Sequence, residues 1–153
     1  MKMKLVESLS DQKLDLDEFF GPKLSIVELH KENRWDVIDE LLDSLEVRQK
    51  IHTEHKDAIR TCLRKREISM STGIGFGVGL PHASTEFVSD LVTVVGRSRN
   101  GIEFDSLDGK PVNLVMLFLV PQGQFQKHLN TLASLAKLLQ DEDFRAGLER
   151  RFE

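Results

Sequence analysis

The stretch STGIGFGVGLPH, Ser71 to His82, sets a glycine at alternate positions from Gly73 to Gly79 and ends on a proline followed by an imidazole. An imidazole outside regular pairing can serve as nucleophile, base or ligand. Proline has no N–H to give to a sheet ladder, so pairing is expected to end just before His82, leaving that ring at a strand end or in a loop. Two more groups have spacings that turn them inward. Arg66 follows Leu63, Cys62 and Ile59 by three, four and seven residues. On a helix long enough to include it, its guanidinium leans toward the core, while Arg60, Arg64 and Lys65 face water. His128 precedes Leu132, Leu135 and Leu139 by four, seven and eleven residues, at the N-terminal end of a leucine stripe. Each group also has a purely structural explanation: an arginine paired with a carboxylate at the core edge, or a histidine satisfied within the core. Taken together, the arginine and the two histidines have the chemistry of a pocket for an anion such as a phosphoryl group.

Other constellations are weaker. The glycines do not match a dinucleotide fingerprint, because Val78 stands where the third glycine would be, and no Gly-Lys-Ser/Thr follows for a phosphate loop. If the segment is extended, Ile74, Phe76, Val78 and Leu80 share one face, and the bare face admits close approach by a ligand or another protein. The alternative is a loop leading into a short strand near Val78. His52 and His55 are spaced to share a metal, but no third ligand is apparent and HTEH is not a metalloprotease motif, which favours an exposed polar turn. A metal-dependent hydrolase built on His52, His55 and His82 is the least supported reading. The basic run RTCLRKR, Arg60 to Arg66, lacks the interleaved aromatics of a nucleic-acid surface and reads as a solvated helix face.

The elements that must carry these groups follow from periodicity. Leu14 to Phe20 reads as a short helix and Leu24 to Leu29 as a strand. Trp35, Ile38, Leu41, Leu42 and Leu45 form a helical stripe capped by Asn33. A second helix is expected over about Thr53 to Lys65, with Ala58, Ile59, Cys62 and Leu63 inward. Leu91 to Arg99 reads as a strand, with a hairpin turn at Asn100-Gly101, a short strand near Ile102 to Phe104 and a second turn at Asp108-Gly109. Asn113 to Val120 is apolar at nearly every position, as a central strand covered on both faces requires. A long helix through Leu129 to Leu139 and a final one over Asp141 to Arg150 complete the chain. The expected fold is α/β, a mixed sheet of about five strands with helices on both faces, in a single domain over residues 1–153.

Composition narrows the setting. The chain has 153 residues, a net charge of −4 and one cysteine, Cys62. The acidic balance argues against nucleic acid or an anionic membrane as partner, and a single cysteine excludes an internal disulfide. No stretch has the apolar length of a signal peptide or a membrane span, so a cytoplasmic location is expected.

Beyond the anion pocket, the residues resemble a family: the type 2, mannitol/fructose-like, enzyme IIA domains of the bacterial phosphoenolpyruvate-dependent phosphotransferase system. The matching stretches are Arg66-Glu67, Ser71 to Gly75, Pro81-His82, Leu107 to Pro121 and His128 to Leu139, in the family's order and spacing over about residues 14 to 150. The N-terminal segment is most similar to the nitrogen-regulatory branch. The resemblance implies the mannitol-type enzyme IIA fold and a phosphoryl group carried on His82, with His128 and Arg66 as the family's second histidine and its arginine. It implies phospho-HPr as donor, an enzyme IIB or a regulatory target as acceptor, and neither metal nor bound cofactor. The chain departs from the family's usual pattern at Phe76, Gly79, Ala83 and Ser84, beside the surface where partners dock. The departures at Phe76, Ala83 and Ser84 support a second reading, a regulatory module that signals by docking with little or no phosphotransfer.

Overall fold

One strand sets the layering. In the computed structural model, which describes residues 26–151, the apolar run lies in a central strand, β6 (Val112–Pro121). Successive side chains of a strand point to opposite faces, and here both faces are apolar. Val115, Leu117 and Leu119 enter one core with residues of the first two described helices, α1 (Arg34–Val47) and α2 (Lys56–Ser69). Leu114, Met116 and Phe118 enter a second core with the last two, α3 (Phe125–Leu138) and α4 (Glu142–Arg151). Helices therefore cover both faces of a mixed α/β sheet, as expected.

Among the described residues the sheet has six strands, where the sequence suggests about five. The other five are β1 (Ile26–Glu28), β2 (Gly73–Gly75), β3 (Val78–Gly79), β4 (His82–Thr85) and β5 (Val92–Ile102). Their order is β1-β5-β6-β3-β2, with β4 following β3 along the same edge of β6. β5 runs antiparallel to β6, while β3 and β4 run parallel to it. Two strands are unforeseen, β2 and β4, while the separate strand expected near Ile102 merges into β5; β2 arises because the glycine segment folds back on itself. Phe76 (φ 59°) and Gly77 (φ 76°) turn the chain in the left-handed region between β2 and β3.

The helices follow their stripes. Val37, Ile38, Leu41, Leu42 and Leu45 of α1 are buried, and the Asn33 side chain caps the helix by accepting from the Asp36 N–H. A short 3-10 turn, Thr53–His55, precedes α2, and α2 continues past Lys65 to Ser69. Arg66 therefore lies on the helix. Ala58 is exposed rather than inward, and Cys62 is half-buried. Asn100-Gly101 is not a hairpin turn. β5 continues through it as a bulge, Gly101 at φ 90°, because Ile102 still pairs with Val112 of the same neighbour. The chain reverses at Leu107–Gly109, where the Gly109 N–H donates to the Ser106 carbonyl at 3.0 Å. The helix expected at Leu14 to Phe20 lies outside the described residues.

Candidate active site

His82 opens β4 and so stands at a strand end, but within the pairing rather than beyond it. Pro81 interrupts pairing between β3 and β4, and pairing with β6 resumes at once, His82 opposite Phe118. The Pro81 carbonyl still accepts from the Phe118 N–H at 3.0 Å, since proline loses only its donor. The result is a ring fixed to a rigid central ladder. Within β4, Ala83 is buried beneath the sheet, while His82 and Ser84 lie on the other face, by strand alternation.

The His82 ring is fixed in orientation as well. Its Nδ1 lies 2.8 Å from the Leu80 carbonyl oxygen, which can only accept. Nδ1 therefore holds the proton and Nε2 keeps the free lone pair. Burial is the main influence lowering the affinity of His82 for a second proton, and the Arg66 charge adds to it. The Leu80 carbonyl and Glu67 pull the other way, but the balance leaves the ring below the ordinary imidazole value of 6.5. A neutral imidazole with one free nitrogen is a nucleophile at neutral pH.

His82 opens onto a cavity of about 400 Å³ lined also by Cys62, Lys65, Arg66, Ala83, Ser84 and Phe125. The α2 residues arrive there by helical spacing, Arg66 one turn after Cys62. The Phe125 ring, at the start of α3, lies near-parallel to that of His82 with centroids 6.3 Å apart. Arg66 and His82 thus face the same space. His128 lies one turn beyond Phe125, half-buried, and is not among the lining residues. Burial first, and Lys127 second, lower its pKa.

The segment between α2 and β2 is cross-braced. Arg66 Nη1 donates to the Met70 carbonyl at 2.8 Å, which leaves its remaining N–H groups for the cavity. Its neighbour Glu67 is 1% exposed and accepts from the Thr72 N–H at 2.8 Å, the Thr72 hydroxyl at 2.6 Å and Arg34 Nη1 at 3.1 Å. A buried carboxylate so satisfied ties the end of α2 to the start of α1 and to β2.

The glycines have an internal purpose. A Cβ on Gly73 would lie 2.5 Å from Ser106 Oγ, and one on Gly79 would lie 2.8 Å from the Phe104 ring. The bare face expected to admit a partner is filled by this chain's own residues. Nor do Ile74, Phe76, Val78 and Leu80 share one face. Ile74, Val78 and Leu80 pack into the core beneath α3 and α4, and Phe76 sits at the hairpin tip, 50% exposed, with the Arg145 guanidinium over its ring.

His52 precedes the 3-10 turn and His55 ends it, His55 stacked on Phe87 with centroids 4.4 Å apart. Among the described residues no three His, Cys, Asp or Glu side chains group as a metal site would require. No described helix is long and apolar enough to cross a membrane.

The family described as the EIIA 2 component of the phosphoenolpyruvate-dependent sugar phosphotransferase system matches residues 18–152. The chain belongs to that family. This EIIA chain is similar to a fructose-specific EIIA component from Haloferax volcanii, 41% identical over 95 residues, 62% of each chain. It is also similar to a fructose-specific EIIABC component from Bacillus subtilis, 37% identical over 126 residues, 82% of this chain and 19% of that one. The matched segments thus span less than two thirds of those relatives' length. Among solved structures, the nitrogen regulatory protein IIA-Ntr from Neisseria meningitidis superimposes with a TM-score of 0.71 at 29% identity, covering 80% of this chain and 82% of that one. Similarity therefore extends to both the sugar-specific and the nitrogen-regulatory branches.

Four site features of this EIIA chain escape a reading by residue type. The Leu80 carbonyl is backbone and leaves no trace in the sequence. Ser84 follows from strand alternation once His82 is placed on a strand rather than beyond one. Phe125 precedes His128 by three residues, so the same helical stripe points to it. Glu67 breaks the rule that carboxylates stay outside, and only its three donors explain it.

Proposed function

We propose that this chain is a single cytoplasmic domain that carries a phosphoryl group within the phosphoenolpyruvate-dependent phosphotransferase system. It accepts the group from a phosphohistidine of the small carrier protein HPr and passes it to an enzyme IIB or to a regulatory target. The observation that carries this reading is the His82 ring, held by the Leu80 carbonyl with Nε2 free and facing a cavity shared with Arg66.

The step is an exchange between two imidazoles. The Nε2 lone pair of His82 forms a bond to phosphorus as the donor's N–P bond breaks. A donor ring protonated on its other nitrogen leaves as neutral imidazole, and His82 becomes the phosphorylated, protonated ring, its Nδ1–H still directed at Leu80. Charge spreads over the phosphoryl oxygens in a loose transition state, so positioning and electrostatics do most of the work. Arg66 offers a planar fork of donors to those oxygens, which lysine would not reproduce. His128, one turn along α3 from Phe125 and outside the cavity lining, donates a hydrogen bond to the same group from its neutral ring. Phe125 and Ala83 supply apolar wall, limiting competition from water. No metal or bound cofactor takes part, because the donor's phosphoryl group is already activated.

Incubation with phosphoenolpyruvate, enzyme I and HPr tests the reading. The expected result is one acid-labile phosphoryl group per chain, absent from His82→Ala. Full labelling of His82→Ala overturns the assignment, and no labelling of the unaltered chain favours a module that signals by docking alone.

A further inference from the structure

Helix α2 carries five cations: Lys56, Arg60, Arg64, Lys65 and Arg66. Three are neutralised in place. Lys56 pairs with Asp43 and Glu46, Arg60 with Asp39 and Asp57, and Arg64 with Asp39. Among the described residues, Lys65 and Arg66 have no carboxylate partner, and these are the two that line the His82 cavity. In a chain of net charge −4, two adjacent uncompensated cations at one cavity are a local feature of the field. They differ in placement. Arg66 is half-buried and braced against Met70, whereas Lys65 is exposed. A phosphoryl group carries about two negative charges, more than one guanidinium can balance.

We propose that Lys65 is a second cation of the phosphoryl site, capturing the donor's phosphoryl group at the cavity mouth before Arg66 and His82 receive it. The assignment rests on the phosphocarrier reading above. A compact ammonium on a flexible four-carbon stem suits capture better than alignment, and a charge at the rim of an interface acts chiefly on association. Ser84 of β4, exposed and on the His82 side of its strand, also lines the cavity and contributes a hydroxyl but no charge.

Single-turnover transfer from phospho-HPr, followed against donor concentration and salt, tests this. Lys65→Ala is expected to lower kcat/KM by about 3–10-fold at low ionic strength, with the maximal rate within about two-fold, and the deficit should fade in high salt. Lys50→Ala, an equal loss of charge in the turn between α1 and α2, is the control and is expected to change neither. Adding Ser84→Lys to Lys65→Ala moves the cation to another position of the cavity lining and is expected to recover most of the loss. Three outcomes overturn the proposal: Lys65→Ala behaving like Lys50→Ala, a fall confined to the maximal rate, or a loss that Ser84→Lys does not reverse. Failure of the unaltered chain to accept phosphoryl groups is a separate result, and it removes the underlying reading itself.

Discussion

Gly79→Ala separates two explanations of the glycine-rich segment, internal packing and access for a partner. Gly79 lies on β3, and a Cβ there would meet Phe104 Cζ at 2.8 Å, Cε2 at 3.0 Å and Cε1 at 3.1 Å. Phe104 is 1% exposed and cannot swing clear. Relieving the overlap requires movement of a buried ring, and overpacking of this kind costs about 1–3 kcal/mol. Replacing glycine returns about 0.4–1 kcal/mol through the unfolded chain. The net expectation is a loss of about 1–2 kcal/mol, a fall in Tm of roughly 2–8 °C for a chain of this size. Urea and thermal unfolding measure it. Phe104→Leu is destabilising alone but is expected to make the alanine less costly, with a favourable coupling of about 1 kcal/mol in a double-mutant cycle. An alanine variant as stable as the parent but slower to accept phosphoryl groups would refute the packing argument and return the glycine to a docking surface.

The remaining predictions concern the site. Arg66→Ala removes a charge that helps hold His82 below the ordinary imidazole range, so the His82 pKa followed by NMR should rise. Transfer should also slow by about 10²–10³-fold, as loss of one transition-state donor does; an unchanged titration would place the guanidinium too far away. Because folding lowers the His82 pKa, the unfolded chain binds more protons once the pH falls below about 6.5. Stability present above that pH should therefore decline in acid, and the decline in urea midpoint between about pH 7.5 and pH 5 should be smaller in His82→Gln. Glu67→Ala strands the Thr72 N–H and hydroxyl and leaves Arg34 Nη1 only the Phe104 carbonyl at 3.4 Å, and should cost about 3–5 kcal/mol in urea unfolding, as breaking a buried pair does; a loss below about 1 kcal/mol would show that the brace is dispensable.

Much of the architecture is legible in the sequence because burial imposes periodicity. The stripe from Trp35 to Leu45 and the unbroken apolar run of β6 each permit one reading, and both hold. The misreadings fall where tertiary contacts decide between local alternatives. Asn100-Gly101 satisfies the chemistry of a hairpin turn, yet pairing of Ile102 with Val112 makes it a bulge. The alternating glycines suit an extended strand with one open face, but the open face is taken by Ser106 and Phe104, more than twenty residues away. Pairing does end before His82, as the proline requires, but Pro81 removes only one donor, and pairing with the parallel neighbour resumes at the next residue. The convergence of Arg66 and His82 on one cavity was legible from helical and strand spacing, whereas the carbonyl that orients the ring was not.

Phosphoryl transfer to His82 depends on which of its ring nitrogens is available. ¹⁵N–³¹P correlation NMR on the phosphorylated chain reads this directly. With Nδ1–H directed at the Leu80 carbonyl, phosphorus must couple to Nε2 of His82. Coupling to Nδ1, or to a nitrogen of any other histidine, would contradict the geometry on which the mechanism depends.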